Sequence, residues 1–320
     1  MEAQRYPEDY DGIIAGAPAN YWTKLMIQAA SMMRATAAPG AYIPASKLPA
    51  LQSAALAACD FSDQVQDGVI ENPAQCRFDP SSLLCQAADS DSCFTAPQLA
   101  ALRVIYGGTR DASGRLLASG YPMGGEAERG GWANWITGDA PEKSAMFYFG
   151  TNFFKFMVYN DPAWDYHTFD PAAALQAARR SASPHLDADN PDLSRFFARG
   201  GKLILFHGWS DAAIPATHAI EYFQAVQKKL GASKTAASLR LFLVPGMQHC
   251  GGGSGANSFG QNAAAHGDPA SNIAAALERW VEQGTAPEQI VAARSESGKV
   301  VKTHPRSEER RVGKECRSRW

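Results

Sequence analysis

Between residues 200 and 250 the apolar and polar positions sort themselves into three elements. The run LILF at 203–206 is wholly apolar and soon meets a glycine-bearing polar turn, so it predicts a buried strand. Ala219, Phe223, Val226 and Leu230 then recur at i, i+4, i+7 and i+11, one face of an amphipathic helix that Gly231 stops. A second run, LFLV at 241–244, closes on Pro245 and Gly246. Strand, helix and strand over this length predict a βαβ unit with parallel strands. Further on, Ile273, Leu277, Trp280 and Val281 mark another one-faced helix, ended by Gly284, and 289–293 reads as a last strand. Near the start, 1–5 reads as the end of a helix and 12–15 as a short strand after a PEDYD turn. Helices are also expected at 96–105, with Pro97 near the opening, and at 193–198.

Open parallel sheets place their chemistry in the loops beyond the carboxyl ends of the strands. One such loop holds Asp211 and the next holds His249. Acid before histidine is the order in which α/β-hydrolases deliver their last two triad members. His249 would then serve as general base, with Asp211 holding its tautomer and stabilising the imidazolium. Aspartate and histidine are common in loops, so spacing alone leaves a structural role open for both. A nucleophile is not evident, because no G-x-S-x-G occurs in the chain. Ser210 is a partial look-alike, but it adjoins the acid and has no helix opening directly behind it. Ser254 sits in a glycine tract that reads as linker.

The runs GWSD at 208–211 and PGMQHC at 245–250 resemble the acid and histidine loops of the tannase and feruloyl esterase family. That family includes the hydrolase of mono-hydroxyethyl terephthalate. The resemblance covers about residues 1–305. It implies an α/β-hydrolase parallel sheet, partial here, with a large inserted lid domain. Residues 1–20 and 200–305 would form the hydrolase core, and 21–199 the lid. In the family, a Gly-Cys-Ser-x-Gly-Gly elbow precedes the segment that matches residues 1–20. The nucleophilic serine, its oxyanion amides and a cysteine partner for Cys250 are therefore expected before Met1, and the chain is expected to be a fragment. The resemblance also points to Trp135 and Phe153 as the lining of an aromatic acyl pocket. His207 either contacts substrate, as the matching family position does, or caps its strand. Most of the aromatic run between 132 and 159 should be lid core.

Composition narrows the partners. The 320 residues carry a net charge of −2 and 45% hydrophobic content, enough for a large core and no basic footprint for nucleic acid. No apolar stretch approaches the ~20 residues that a membrane span needs. The six cysteines stand at 59, 76, 85, 93, 250 and 316. Cys59 with Cys76, and Cys85 with Cys93, are close pairs in a Pro- and Asp-rich region, which favours local disulfides and a secreted or periplasmic setting.

Asp60, Asp63 and Asp67 place three carboxylates within eight residues, with Gly68 permitting a sharp turn. Hard oxygen ligands so close together suit calcium. An EF-hand is excluded, because counting from Asp63 the third position is Val65 and the twelfth is Ala74. The resemblance implies a structural Ca2+ held by Asp60, Asp63 and Asp67 with the carbonyls of Val65 and Val69. Gln64 stands where the family often has glycine. A second acidic cluster, at 187–192, reads as a turn and is assigned no metal. Residues 306–320 change composition abruptly, with six Arg or Lys against three Glu, and resemble translated adapter sequence, so a non-native tail is expected there. Two readings follow. The first is a serine carboxylic-ester hydrolase for aromatic acids (feruloyl, galloyl or terephthalate-type), working through an acyl-enzyme on a small aromatic ester. The second is a non-catalytic calcium- and ligand-binding protein that keeps the lid.

Overall fold

The structure, a computed structural model, describes residues 1–262 and 267–307. Its strands are β1 (Gly12–Gly16), β2 (Thr109–Arg110), β3 (Leu116–Ala118), β4 (Lys202–Gly208), β5 (Leu239–Val244), β6 (Gln289–Glu296) and β7 (Lys299–Ser307). Among the described residues β1, β4 and β5 form one parallel sheet in the order β1-β4-β5, with Gly16 opposite Phe206 and Gly208 opposite Val244. β2 with β3 and β6 with β7 are antiparallel hairpins.

Side chains alternate faces along a strand, so each parallel strand feeds two layers. Leu203, Leu205, Leu239 and Leu241 pack on one face against Ala219, Phe223 and Val226 of helix Thr217–Leu230. Ile204, Phe206, Phe242 and Val244 pack on the other against Ile273, Ala276 and Trp280 of helix Ile273–Gln283. The second helix opens on Asn272, whose side chain accepts the Ala274 and Ala275 amides, and closes on Gly284 at φ 71°. The sheet is thus sandwiched between helices, as the hydropathy pattern predicts. β1 approaches β4 without room for a side chain. A Cβ on Gly16 would stand 2.2 Å from the Phe206 ring.

The segment between β1 and β4 has its own core. Leu25, Met26 and Ile27 of helix Trp22–Thr36 pack with Leu102 and Ile105 of helix Ala96–Gly107 and with Phe153 and Phe154. Helix Ala96–Gly107 starts in a Thr95/Gln98 capping box, two residues longer at its end than expected. The acid-loop residues Ala212, Ala213 and Ile214 belong to this same core, so the segment between β1 and β4 packs directly onto the acid loop. Both expected disulfides form, Cys59–Cys76 and Cys85–Cys93.

Some expectations needed correction. Five aromatics of the run, Trp132, Trp135, Phe147, Phe153 and Phe154, lie in or against the core as expected, whereas Tyr148, Phe149, Phe156 and Tyr159 are exposed. Two of its stretches, Ala133–Thr137 and Phe153–Val158, wind as π-helical turns that no spacing rule announces. β7 was not expected, and it crosses the compositional break at 305. Residues 308–320, including Cys316, lie outside the described residues.

Gly16→Ala should lower stability by about 1–3 kcal/mol, because the Phe206 ring must leave its place. Chemical denaturation measures the loss, and adding Phe206→Leu should recover part of it.

Candidate active site

Two loops meet backbone to backbone at the carboxyl ends of β4 and β5. The Ser210 amide donates to the Met247 carbonyl at 3.0 Å, and Trp209 donates to Val244 at 3.0 Å. A Cβ on Gly208 would lie 2.2 Å from the Met247 oxygen, so only glycine permits this closeness. The acid and histidine loops are thereby held side by side.

Asp211 is 1% exposed. Its Oδ1 accepts the amides of Ala213 (2.8 Å) and Ile214 (2.9 Å), and its Oδ2 accepts His249 Nδ1–H at 2.9 Å. His207, wholly enclosed, brings Nε2 to 3.2 Å from the same Oδ2 and to 2.9 Å from the Ile214 carbonyl. Burial works to raise the Asp211 pKa. The hydrogen bonds from His207 and His249, and their charge, outweigh it and bring the value down to about 2. The His249 pKa is raised, chiefly by its hydrogen bond to Asp211 and against the effect of burial. With Nδ1–H given to Asp211, Nε2 carries the lone pair. That is the arrangement of a general base with its orienting acid.

His249 also touches the lid. The Trp135 ring meets the imidazole edge-on, with centroids 5.5 Å apart. Phe149 stacks on Trp135 at 6.4 Å, and Trp22 meets Phe149 at 6.1 Å. Among the described residues no serine hydroxyl hydrogen-bonds to His249. Ser254 Oγ lies 3.4 Å from the Gly68 carbonyl, and Ser210 is packed against Gly125.

The model of the family described as "Tannase and feruloyl esterase" matches residues 1–311. The chain belongs to the tannase and feruloyl esterase family. It is 39% identical to an uncharacterized esterase of Xanthomonas campestris pv. campestris over 95% of this chain and 58% of that protein. It is 31% identical to a protein named "Probable feruloyl esterase B-2" from Aspergillus terreus over 92% of this chain and 56% of that one. The chain thus spans just over half the length of these relatives. The crystal structure of feruloyl esterase B from Aspergillus oryzae superposes with a TM-score of 0.86 at 26% identity, over 96% of this chain and 62% of that one. Tannin acyl hydrolase from Aspergillus niger shares the fold, with a TM-score of 0.75 at 21% identity.

The other residues singled out for this family fall in different places. Trp135 reaches the site. Phe153, 3% exposed, packs against Phe154 in the lid core, and among the described residues no ring contact joins it to His249. His207 is sealed behind Asp211, where it holds the acid and is shielded from any substrate. Cys250 takes φ 60° beside His249, and it forms no disulfide among the described residues. Burial pushes its thiol pKa up, and the Asp211 charge adds to this.

In the acidic loop, Asp60 is 5% exposed and accepts the amides of Asp67 (3.3 Å) and Gly68 (3.0 Å). Among the described residues no cationic side chain pairs with it. Gln64 adopts φ 72°, which explains why glycine suits that position. Among the described residues the one set of three acidic, thiol or histidine groups whose ligand atoms lie within 4.8 Å of one another is Cys85, Asp89 and Cys93, two of them spent in a disulfide. The carboxylates of Asp60, Asp63 and Asp67 are therefore of the right chemistry for a hard cation but not drawn together, and Lys302 pairs with Asp67.

Asp211→Asn should lower the His249 titration midpoint, followed by NMR of the imidazole. The signs also fix the acid limb of stability. A carboxylate depressed from 3.8 to about 2 stabilises the fold above 3.8 and loses that contribution as pH falls toward 2. The raised His249 pKa acts oppositely, stabilising below 6.5 and losing the contribution as pH rises through the folded value. Asp211→Asn should flatten the unfolding profile between pH 4 and pH 2.

Proposed function

We propose that this chain carries the acid, the base and the lid of a carboxylic-ester hydrolase for aromatic acids. The observation that carries the reading is the Asp211–His249 hydrogen bond at the joined strand ends, with Trp135 against the imidazole. His249 Nε2 would take the proton of a serine hydroxyl as its oxygen bonds to the ester carbonyl carbon. The ester C–O bond then breaks, and Nε2–H protonates the departing alkoxide. Water, deprotonated by the same nitrogen, attacks the acyl-serine and releases the acid. The serine is proposed to come from sequence preceding this chain, since neither Ser210 nor Ser254 hydrogen-bonds to His249. Trp135, with Phe149 behind it, offers a π surface for a feruloyl, galloyl or terephthalate-type acyl ring.

Calcium is proposed as a structural ion of the loop at 60–69. A buried Asp60 carboxylate with no cationic side chain beside it among the described residues favours such an ion, which would draw Asp63 and Asp67 inward with the carbonyls of Val65 and Val69. The Lys302 pairing at Asp67 is a partly exposed ion pair, worth little enough to be displaced. Two disulfides suit a secreted or periplasmic protein. Among the described residues no helix is long and apolar enough to cross a membrane.

Ferulate, gallate or terephthalate should bind beside His249 and perturb its imidazole resonance. Trp135→Ala should weaken that binding about tenfold, roughly 1.4 kcal/mol. If all three acids leave the His249 resonance unmoved, the acyl site is not here. The 320-residue chain should turn over an aryl ester no faster than background. Turnover abolished by His249→Ala would instead place the nucleophile within the chain. A chelator should lower the melting temperature of the disulfide-intact protein, and an unchanged value counts against calcium.

A further inference from the structure

The stretch that carries His249 is a closed and conformationally costly loop. The Gly255 amide donates to the Gly246 carbonyl at 3.1 Å, joining its two ends. Inside it Cys250, Gly252 and Gly253 take φ of 60°, 71° and 90°. A non-glycine residue in that region is strained, and such conformations persist only where the surroundings over-determine them.

The lid supplies that determination. Gln248, immediately before the histidine, donates Nε2–H to the Gly125 carbonyl at 2.9 Å. On the far side of His249, the Ser254 amide donates to Glu128 Oε2 at 2.9 Å. A Cβ on Gly253 would stand 2.9 Å from that same carboxylate oxygen, so Glu128 lies flat on the loop backbone. Arg294 donates to the Ser254 carbonyl from β6. The Glu128 carboxylate is half-buried, its Oε1 sealed without a partner, and nothing in the proposed chemistry uses it. A carboxylate held out of water over a glycine-rich loop is costly unless the loop gives it donors. The loop gives it the Ser254 amide, with the Ser254 and Gln248 side chains and the Arg294 charge beside it.

We propose that Glu128 is a positioning residue for His249. It accepts the Ser254 amide and thereby fixes the left-handed loop that presents Nδ1 to Asp211. The inference rests on the reading of His249 as the base. Glu128 does not touch the imidazole in this account. It acts through the loop, by the Ser254 amide it accepts and by the Gln248 side chain beside it.

The test uses the full chain and two readouts that do not require turnover: the His249 imidazole titration and hydrogen exchange at the Ser254 amide. In the unaltered chain the Ser254 amide should be protected and the His249 midpoint raised above an ordinary histidine. Glu128→Ala should speed Ser254 exchange about tenfold, as expected for loss of one hydrogen bond to a charged acceptor. It should also lower the His249 midpoint. Glu128→Gln keeps an acceptor oxygen while removing the charge, and it should restore both values. That variant separates loop geometry from a direct effect of the Glu128 charge on the imidazole. Unchanged readouts in Glu128→Ala, or a Glu128→Gln that matches Glu128→Ala, would overturn the proposal. A Ser254 amide exchanging freely in the unaltered chain would overturn it without any variant. An ordinary His249 midpoint in the unaltered chain would instead sink the Asp211–His249 reading, and the role of Glu128 with it.

Discussion

The Asp211 carboxylate, buried and ionised, sets the terms for everything around it. An unpaired charge in that position would cost several kcal/mol, so each of its lone pairs must be met by a donor. The Ala213 and Ile214 amides meet Oδ1, and His249 meets Oδ2 with His207 close by. Each donor constrains an element. The two amides fold the acid loop back on itself, and His207 ties that loop to the strand behind it. His249 draws the neighbouring loop across. The glycine at 208 makes this affordable in space, because two backbones must touch there.

The lid is part of the same arrangement. Ala212, Ala213 and Ile214 share the core of the segment between β1 and β4, so the residues that feed the acid are packed by that segment. From the other side, Gly125, Glu128 and Gly68 all contact the histidine loop. An aspartate–histidine pair held from one side by strands and from the other by the segment between β1 and β4 has little freedom to drift. The requirement is close, since productive geometry tolerates errors well under an ångström.

Much of this was legible in the sequence, for identifiable reasons. The apolar runs at 203–206 and 241–244 have one physical solution in a βαβ unit, a strand buried on both faces. The parallel register then places the loops with Asp211 and His249 together, whatever the lid does. Cysteine spacing sufficed for two disulfides because both loops are short. Other features depend on contacts between residues far apart in the chain. His207 looks like any strand-end histidine until the Ile214 carbonyl is found folded back onto it. Phe153 and Phe149 are both aromatic and four residues apart, and only the π-helical winding nearby decides which one stacks on Trp135. Glu128 carries no motif, and its role exists only where the 124–128 turn meets the glycine tract 120 or so residues later.

The acidic loop shows how far that coupling extends. Gln64 and Gly68 both take positive φ there, so the turn is formed before any ion is considered. What the turn lacks among the described residues is charge balance, since Asp60 is buried there with two amides and no cationic side chain. The same turn presents the Gly68 carbonyl to Ser254 Oγ, and the Gly68 amide is one of the two held by Asp60. Order at Asp60 therefore passes through one residue, Gly68, to Ser254, whose own amide is held by Glu128. A cation drawn to Asp60 would stiffen the loop at 60–69, and through Gly68 it would narrow the positions open to His249. No ligand–imidazole contact is needed for this effect. A structural ion in the lid and a base in the core can be coupled because both lean on the same backbone segment.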